Sequence, residues 1–542
     1  MAPRFSIITP IYETPPAILD ALLATVQNQT FTDWELCLAD DGSKAPHIRE
    51  VLAQASAEDP RIKVFHRPQN GGIVEASNDC LDLATGEFVA FLDHDDELVP
   101  HALERMSDII DTWSDIDYIY SDEDKIDEEG LHRDPFYKPD WSPERYRCQM
   151  YTCHFGVHRR ALVEEVGRFR AEYNGSQDFD LVFRVTEKAR RIHHIPEVLY
   201  HWRIIAGSAA GDAQAKPYAW LAGAKAIQSH CDRTGFEAEV EHTLEHPGWY
   251  HLRPRLTDNP PVSIIIPTNG QRRDIYGKDA VLVEHAIESI VERSTYDDYE
   301  LIVVVDDDAK DDVPERIERA GGDRVTIVPY DREFNFAEKI NLGACYAKGD
   351  HLLLLNDDIE VDTPDWIESL LMYSRQDAIG AVGARLLFGD GRLQHVGIVN
   401  TQHGPTHVFY GYRNDYVGYF SAARMPANYL AVTAACMMTR RLVFEEIGGL
   451  CTDFPSSYND VDYCYKLIDK GLRVAYNPEA TLYHFESSSR SPVINHADYD
   501  LLTRRWRSYL EYDPYNNPNF LGSSANFVHP VYLPEGALMP VG

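Results

Sequence analysis

The sequence predicts an α/β protein made of two tandem domains, each built on a mainly parallel sheet. Three observations predict it. Short apolar runs stopped by proline or by acids recur along the chain: "FSIITPIYE" (5–13) and "VSIIIPTNG" (262–270), "WELCLADDGS" (34–43) and "YELIVVVDDDA" (299–309). Continuous β-branched runs of this length fit strands buried on both faces. Helical patterns lie between them, with Ile18, Leu22 and Val26 on one face of 17–29 and Leu103, Met106 and Ile110 on one face of 101–113. Strand, helix, strand, helix is the order of an α/β domain. Finally, the chain repeats itself. "FVAFLDHDDELV" (88–99) matches "HLLLLNDDIEVD" (351–362), "YNGSQDFDLVFRV" (173–185) matches "SSYNDVDYCYKLI" (456–468), and "EVLYHWR" (197–203) matches "ATLYHFE" (480–486), all in the same order as the strand pairs above. The offset grows slowly, as in one duplicated domain with a few loop insertions. Residues 1–245 read as the first domain and 262–542 as the second. The Pro-rich, aperiodic 246–261 reads as the linker.

The totals agree. A chain of 542 residues is too long for one core. Its formal net charge of −36 argues against a general nucleic-acid binder, which needs a basic face, and against direct adsorption on anionic lipid. Nine cysteines with no CxxC spacing make neither a zinc site nor a disulfide framework. The first residues, "MAPRFSIITP", run straight into a strand pattern, so no signal peptide is expected. No apolar run approaches the roughly 18 residues that span a bilayer. A reduced, cytoplasmic setting follows as the expectation.

Two buried strands end in acidic clusters, Asp93, Asp95 and Asp96 in one and Asn356, Asp357 and Asp358 in the other. In a parallel sheet, ligands sit beyond the carboxyl ends of the strands, so this charge faces a crevice. Carboxylates without cysteine around them suit hard cations such as Mg²⁺ or Mn²⁺, which also take substrate phosphate. Acids in the first turn of a following helix are the plainer explanation for one such cluster. Its repetition, with companion motifs in register, favours the metal.

The order strand–Pro, "DDGS", "NGG…N", "LDHDD", "GSQDFDL", "YHWR" resembles a family 2 glycosyltransferase of the GT-A fold. The second half, with "VVDDD", "NFAEKIN", "LLNDDIEV", "LQHVGIV", "NDVDYCYKL" and "LYHFESSSR", resembles the branch that builds bacterial surface polysaccharides, including rhamnosyltransferases. The resemblance covers nearly the whole chain. It implies an inverting, metal-dependent hexosyltransferase in each half, using UDP- or dTDP-sugars to extend an O-antigen, a capsule or a lipid-linked oligosaccharide. Any membrane contact is then peripheral, through the acceptor or assembly partners at the inner face.

Position by position, the resemblance implies that Asp40, with Asp41 beside it, receives the nucleotide base. Pro10 and Asn70 belong to the same nucleotide-sugar site. Asp93 and Asp95 bind the metal and, through it, the diphosphate; Asp178 is the general base and His201 approaches the metal. In the second half the corresponding residues are Pro267, Asp306, Asn341, Asp357 and Asp358, then Asp460, then His484, with Asp358 and His484 on the metal. Two departures stand out. Asn356 occupies the place of a carboxylate, and the family's "TGAC" reads "TAAC" at 433–436, where Ala434 adds a methyl group.

Three other readings compete. A dinucleotide dehydrogenase lacks its GxGxxG after either first strand. A nucleotidyltransferase lacks its Gly-rich basic loop. A chain with one catalytic domain and one domain that only grips saccharide or a partner stays open. "PFYKPDWSPERYR" (135–147) is either an acceptor loop or a packed loop, and "LQHVGIVN" (393–400), with His395, carries no assigned role.

Overall fold

The computed structural model describes residues 2–205, 217–242, 247–310, 312–485 and 496–529. Linker residue 246 and the Glu486–Arg490 end of the last motif lie outside them. The chain divides into two compact units, 1–141, 146–235 and 239–252 in one, and 142–145, 236–238 and 253–542 in the other.

In chain order the first part runs β1 (Phe5–Ile11), α1 (Pro16–Gln27), β2 (Trp34–Asp40), α2 (Pro46–Glu58), β3 (Ile62–His66), α3 (Ile73–Leu83), β4 (Phe88–Phe91), β5 (Glu97–Leu98), α4 (Ala102–Thr112), β6 (Tyr118–Ile126), β7 (His132–Phe136), α5 (Pro143–Tyr146), β8 (Gly156–Arg159), α6 (Arg160–Glu165), α7 (Gln177–Thr186), β9 (Ile192–Arg203), α8 (Pro217–Thr234), β10 (Ala238–His242) and β11 (Tyr250–Pro254). The strands form a sheet of order β3-β2-β1-β4-β8-β6-β9-β5, with β7 on β6. From β3 to β4 every pairing is parallel; beyond β4 the pairings are mixed.

The second part runs β12 (Val262–Thr268), β13 (Arg272–Ile275), β14 (Lys278–Val281), α9 (Leu282–Arg293), β15 (Tyr299–Asp306), α10 (Val313–Gly321), β16 (Val325–Tyr330), α11 (Phe336–Ala344), β17 (His351–Leu355), β18 (Ile359–Val361), α12 (Trp366–Ser374), β19 (Ile379–Leu387), β20 (Leu393–His395), β21 (Ile398–Thr401), β22 (Gly404–His407), β23 (Ala427–Asn428), β24 (Cys436–Arg440), α13 (Arg441–Glu446), α14 (Asn459–Asp469), β25 (Arg473–His484) and α15 (His496–Glu511). Its main sheet has the order β16-β15-β12-β17-β24-β19-β25-β18. Strand for strand this is the order of the first sheet. The two mixed sheets are the α/β architecture that the repeats and the resemblance imply.

The central strands are buried on both faces, as their sequences require. Ile7, Leu36, Leu38, Ile264, Val303 and Leu353 are fully buried, each worth about 1.5–3 kcal/mol relative to exposure. The expected face of α4 is buried through Leu103, Met106 and Ile110. In α1 the buried stripe is Leu19, Leu22, Leu23 and Val26, and Ile18 lies at its edge. The region read as an aperiodic linker contains β11, which pairs with β10.

A buried device marks the duplication. Ser6 Oγ donates to Glu35 Oε1 (2.7 Å) and accepts from Gly86 N–H (2.8 Å). Ser263 does the same with Glu300 (2.7 Å) and Gly349 (2.8 Å). A Cβ on Gly86 would meet Ser6 N at 2.8 Å, and one on Gly349 would meet Ser263 N at 2.6 Å, so both turns require glycine.

In each sheet the chain builds outward from the first strand, then returns to its other side, at β4 and at β17. Order reverses there, and the crevice beyond the strand ends at such a point is where α/β sheets bind ligands.

Candidate active sites

In the first unit, Asp40 ends β2 and is almost fully buried. It accepts from Ser43 N–H (3.0 Å) and from His66 Nδ1 (2.9 Å). Asp41 accepts from the N–H groups of Gly71 (2.7 Å) and Gly72 (2.8 Å) and pairs with Arg67. The "DDGS" and "NGG" segments are therefore one interlocked loop. Gly42 sits there at φ 70°, and a Cβ on it would lie 2.7 Å from Asn70 N. Asn70 is exposed on this loop.

The acid turn after β4 is fixed from β9. Tyr200 OH donates to Asp96 Oδ2 (2.5 Å), Arg203 N–H donates to Asp96 Oδ1 (2.8 Å), and Arg203 Nε donates to the Asp95 carbonyl (2.8 Å). Asp96 is thus the structural acid of the three. Asp93 opens onto a cavity of about 110 Å³, lined also by Pro10, His154, Asp178 and Tyr200. Protein packed around Asp93 raises its carboxyl, and repulsion from Asp95 raises it further.

Asp178 meets Asp93 in that cavity. It is the second residue of α7, behind the N-cap Ser176, so it is not the cap itself. It accepts from Phe179 N–H (2.8 Å); the residue keeps an exposed surface, and the protein packed around its carboxyl raises it above the usual range. Two residues on, Asp180 is fully buried between Arg170 and Arg184. The neighbouring acids thus divide into one for the fold and one for the cavity.

The second unit repeats this division. Asp460 is the second residue of α14 and accepts from Val461 N–H (2.9 Å) and Ala434 N–H (3.3 Å). The buried Asp462 accepts from Trp506 Nε1 (2.8 Å) and pairs with Arg505. A cavity of about 250 Å³ is lined by Asp460, Asn356, His484, Gln394, His407 and Ala434. His484 Nδ1 donates to Gln394 Oε1 (2.6 Å), and Asn356 Nδ2 donates to His484 Nε2 (3.0 Å). Asp358 Oδ1 lies 3.0 Å from the same Nε2. Asp357 accepts from Thr268 Oγ1 (2.6 Å) and is pushed up to about 7, first by burial and then by Asp358.

Elsewhere in this unit, Asp306 ends β15 beside the buried Lys339, whose Nζ lies 2.8 Å from the carboxylate and donates to the Thr268 carbonyl (2.9 Å). Thr268 follows Pro267 at the end of β12. Asn341 is turned away from the cavity. Its amide spans Leu450, donating to the carbonyl (2.8 Å) and accepting from N–H (2.9 Å). Asn78, not Asn70, makes the same bridge in the first unit, to Phe169.

His201 bonds Asp124 (2.5 Å) and pairs opposite Glu97, two residues beyond Asp95, whereas His484 pairs opposite Ile359, one beyond Asp358.

Sequence reasoning missed His154, Lys339 and Gln394. His154 lines the first cavity, with Nδ1 3.1 Å from Glu123 Oε2. Burial alone would lower its pKa, but Glu123, Asp96 and Asp93 override burial and hold it at about 9. Strand register aligns "TCHF" (152–155) with "TAAC" (433–436), so Ala435 stands where the first unit has His154; that alignment was the available signal. Lys138 is fully buried and donates to the Ser121 carbonyl (2.7 Å) and to Glu123 (3.1 Å), so this part of 135–147 is packed. His395 is buried against His407 (2.9 Å) and stays neutral, chiefly through burial. All nine cysteines are free. Among the described residues no helix is long and apolar enough to cross a membrane.

Comparison with known proteins gives a concordant result. The model of glycosyl transferase family 2 matches residues 6–167 and 263–448. Protein y4gI of Sinorhizobium fredii is 37% identical over 539 residues, which are 97% of this chain and 58% of that protein. The O-antigen biosynthesis protein RfbC of Myxococcus xanthus is 34% identical over 522 residues, 95% of this chain and 40% of that protein. The chain therefore spans less than two thirds of either relative. Among solved structures, S. aureus TarS 1-349 in complex with UDP is 21% identical, with a TM-score of 0.32, over 43% of this chain and 74% of that one.

Proposed function

The chain belongs to glycosyl transferase family 2, and from that premise we propose that it is a bifunctional inverting glycosyltransferase. Residues 1–245 and 262–542 each transfer one sugar from a UDP- or dTDP-sugar. The acceptor is a bacterial surface polysaccharide or lipid-linked oligosaccharide, reached at the cytoplasmic face of the membrane. One observation carries the reading: in both units the turn after the returning strand and the acid near a helix N-terminus line one cavity.

The donor sets fit Mg²⁺ or Mn²⁺, through Asp93 and Asp95 in the first unit and through Asp358 and His484, beside Asp357, in the second. A cation held there supplies Lewis-acid neutralisation of the departing diphosphate. His154 adds a fixed positive charge in the first cavity only. Asp178 and Asp460 take the proton from the attacking acceptor hydroxyl, a contribution of about 10²–10⁴ in rate. Each base acts from the face opposite the leaving group, so the anomeric centre inverts. Asp40 and Asp306 sit at the nucleotide end of the crevice, with Pro10, Asn70, Asp41 and Pro267 shaping its wall. Asn341 acts by holding the Leu450 backbone. A second reading, in which the second unit grips saccharide without transferring, draws on Asn356 in place of a carboxylate.

A screen of nucleotide sugars for released nucleoside diphosphate, with linkage and anomeric analysis of the product, tests the proposal. Transfer should stop in excess chelator and return with Mg²⁺ or Mn²⁺. Undiminished transfer in chelator removes the metal from the mechanism.

The two steps should also differ in pH profile. Asp178 works only when ionised, and its raised pKa moves the acid limb of the first step above the ordinary carboxylate range. His154 is cationic only below its pKa of about 9, so the first step falls again as pH rises through that value. His154→Ala should erase this alkaline limb from kcat/KM of the first step and leave the second step's profile alone.

A further inference from the structure

The second cavity has a wall that the first unit does not build. The connection from β19 to β24 (388–435) is longer than its counterpart from β6 to β8 (127–155). Among the described residues the shorter connection holds one strand, β7, which pairs with β6 as β20 pairs with β19. The longer one adds the antiparallel hairpin of β21 and β22. Ile398, Pro405 and His407 of that hairpin, with Tyr410 just beyond it, line the cavity that also holds Asp460. Ile398 and His407 are direct register partners and share one face. We propose that this hairpin wall is the acceptor subsite of the second unit, where Tyr410 packs on the apolar face of a neutral sugar and His407 donates to one of its hydroxyls. The inference rests on the transferase reading and deepens it by naming what the second site accepts.

His407 is held as a donor from behind. His395 is fully buried, and its Nε2 accepts from the Thr433 N–H over a long 3.4 Å. A backbone N–H can only donate, so the His395 proton is assigned to Nδ1. It is directed at His407 Nδ1, 2.9 Å away. His407 Nδ1 therefore accepts, and its own proton sits on Nε2, on the ring edge turned away from His395. The same backbone serves the base. Ala434, next after Thr433, donates its N–H to Asp460 (3.3 Å). One stretch of chain thus ties the donor to the carboxylate that takes the acceptor's proton.

Tyr410 is 49% exposed, with its ring perpendicular to Phe388 (84°, centroids 5.1 Å apart). Its ring is a flat apolar surface with a polar rim. A pyranose matches it, with C–H groups on its faces and hydroxyls around its edge. No lysine or arginine is among the described lining residues, and Asp460 is. The carboxylate of a uronic acid would be desolvated there without a cation, so a neutral sugar is the class that fits. The first cavity is smaller, at about 110 Å³ against about 250 Å³, and contains the cationic His154. The two sites should therefore accept different sugars.

The test uses the full chain and titrates the methyl glycosides of glucose, galactose, mannose and rhamnose, and methyl glucuronide, by saturation-transfer NMR. Variants are compared at matching circular-dichroism spectra, and binding that no variant alters is assigned to the first unit. His407→Ala should weaken at least one neutral glycoside about two- to tenfold, the worth of one hydrogen bond. His407→Gln, whose amide places an N–H near the position of Nε2, should restore it. Tyr410→Ala should weaken the same glycoside and Tyr410→Phe should not; this half-exposed pair decides the matter where His407→Ala fails to fold. For the positioning residue, His395→Asn keeps a donor at the place of Nδ1 and should bind as the wild type does, and His395→Leu as His407→Ala does; the reverse order overturns the assignment. Release of nucleoside diphosphate from UDP- and dTDP-sugars is followed on the same samples. Glycoside binding that depends on His407, with no release by the wild type, would support the subsite and count against the transferase reading. Release with no His407-dependent binding overturns the subsite alone. Equal losses in the Ala and Gln variants, or a loss for the glucuronide as large as for the neutral glycosides, also overturn it.

Discussion

With Asp178 replaced by Asn, the chain should release product that lacks the sugar added by the first unit, and that step should slow by about 10²–10⁴-fold. The side chain keeps its shape, and its oxygen still accepts from Phe179 N–H, so only the proton acceptor is lost. Folding should survive, because Asp180 rather than Asp178 holds Arg170 and Arg184. Asp460→Asn should stall at a different product, one sugar apart. This variant is slightly less silent. Both Asp460 oxygens accept backbone N–H groups, and an amide can satisfy only one of Val461 and Ala434, a loss of about 1 kcal/mol. Product mass and linkage distinguish the two stalls. Mixing the variants should restore full product when intermediates are released. Wild-type product at the wild-type rate from either variant would mean that its unit is no transferase, and would favour the saccharide-gripping reading for that half.

The second large effect is expected at the cation turns. Asp95→Ala should abolish donor binding in the first unit only, and Asp358→Ala in the second only. A cation's several kcal/mol of charge stabilisation on the diphosphate corresponds to at least about 100-fold in the matching step. Titrating the full chain with a UDP- or dTDP-sugar should show two classes of site in the wild type and one in each variant. The aim is selective because Asp96, not Asp95, anchors the turn through Tyr200 and the Arg203 backbone. Unchanged two-site binding in both variants would show that the acids hold the turn and not the donor.

Periodicity and repetition made most of the architecture legible. Both sets of central strands are nearly uninterrupted apolar runs, and such a run has few structures open to it besides a strand covered on both faces. The glycines of the Gly86 and Gly349 turns, the proline-stopped first strands and the acid at the second position of α7 and α14 recur in register, so one half explains the other. Which asparagine of the first half corresponds to Asn341 is not legible in the sequence, for a physical reason. Asparagine is equally suited to a loop and to bridging a backbone, and only the bridge made by Asn78 shows which asparagine corresponds to Asn341.

The sequence by itself determined two α/β domains and the strand ends that carry acid. Those properties follow from local chemistry: side-chain branching, spacing and the cost of burying charge. The tertiary structure alone decided the function of each acid within a cluster. It assigned Asp96 and Asp180 to the fold and Asp93 and Asp178 to the cavity, placed a cationic His154 there, and sent His201 and His484 to different partners. These outcomes depend on strand register and on residues far apart in the chain. A one-residue difference in pairing reverses the face a side chain presents, and no local pattern encodes which register forms.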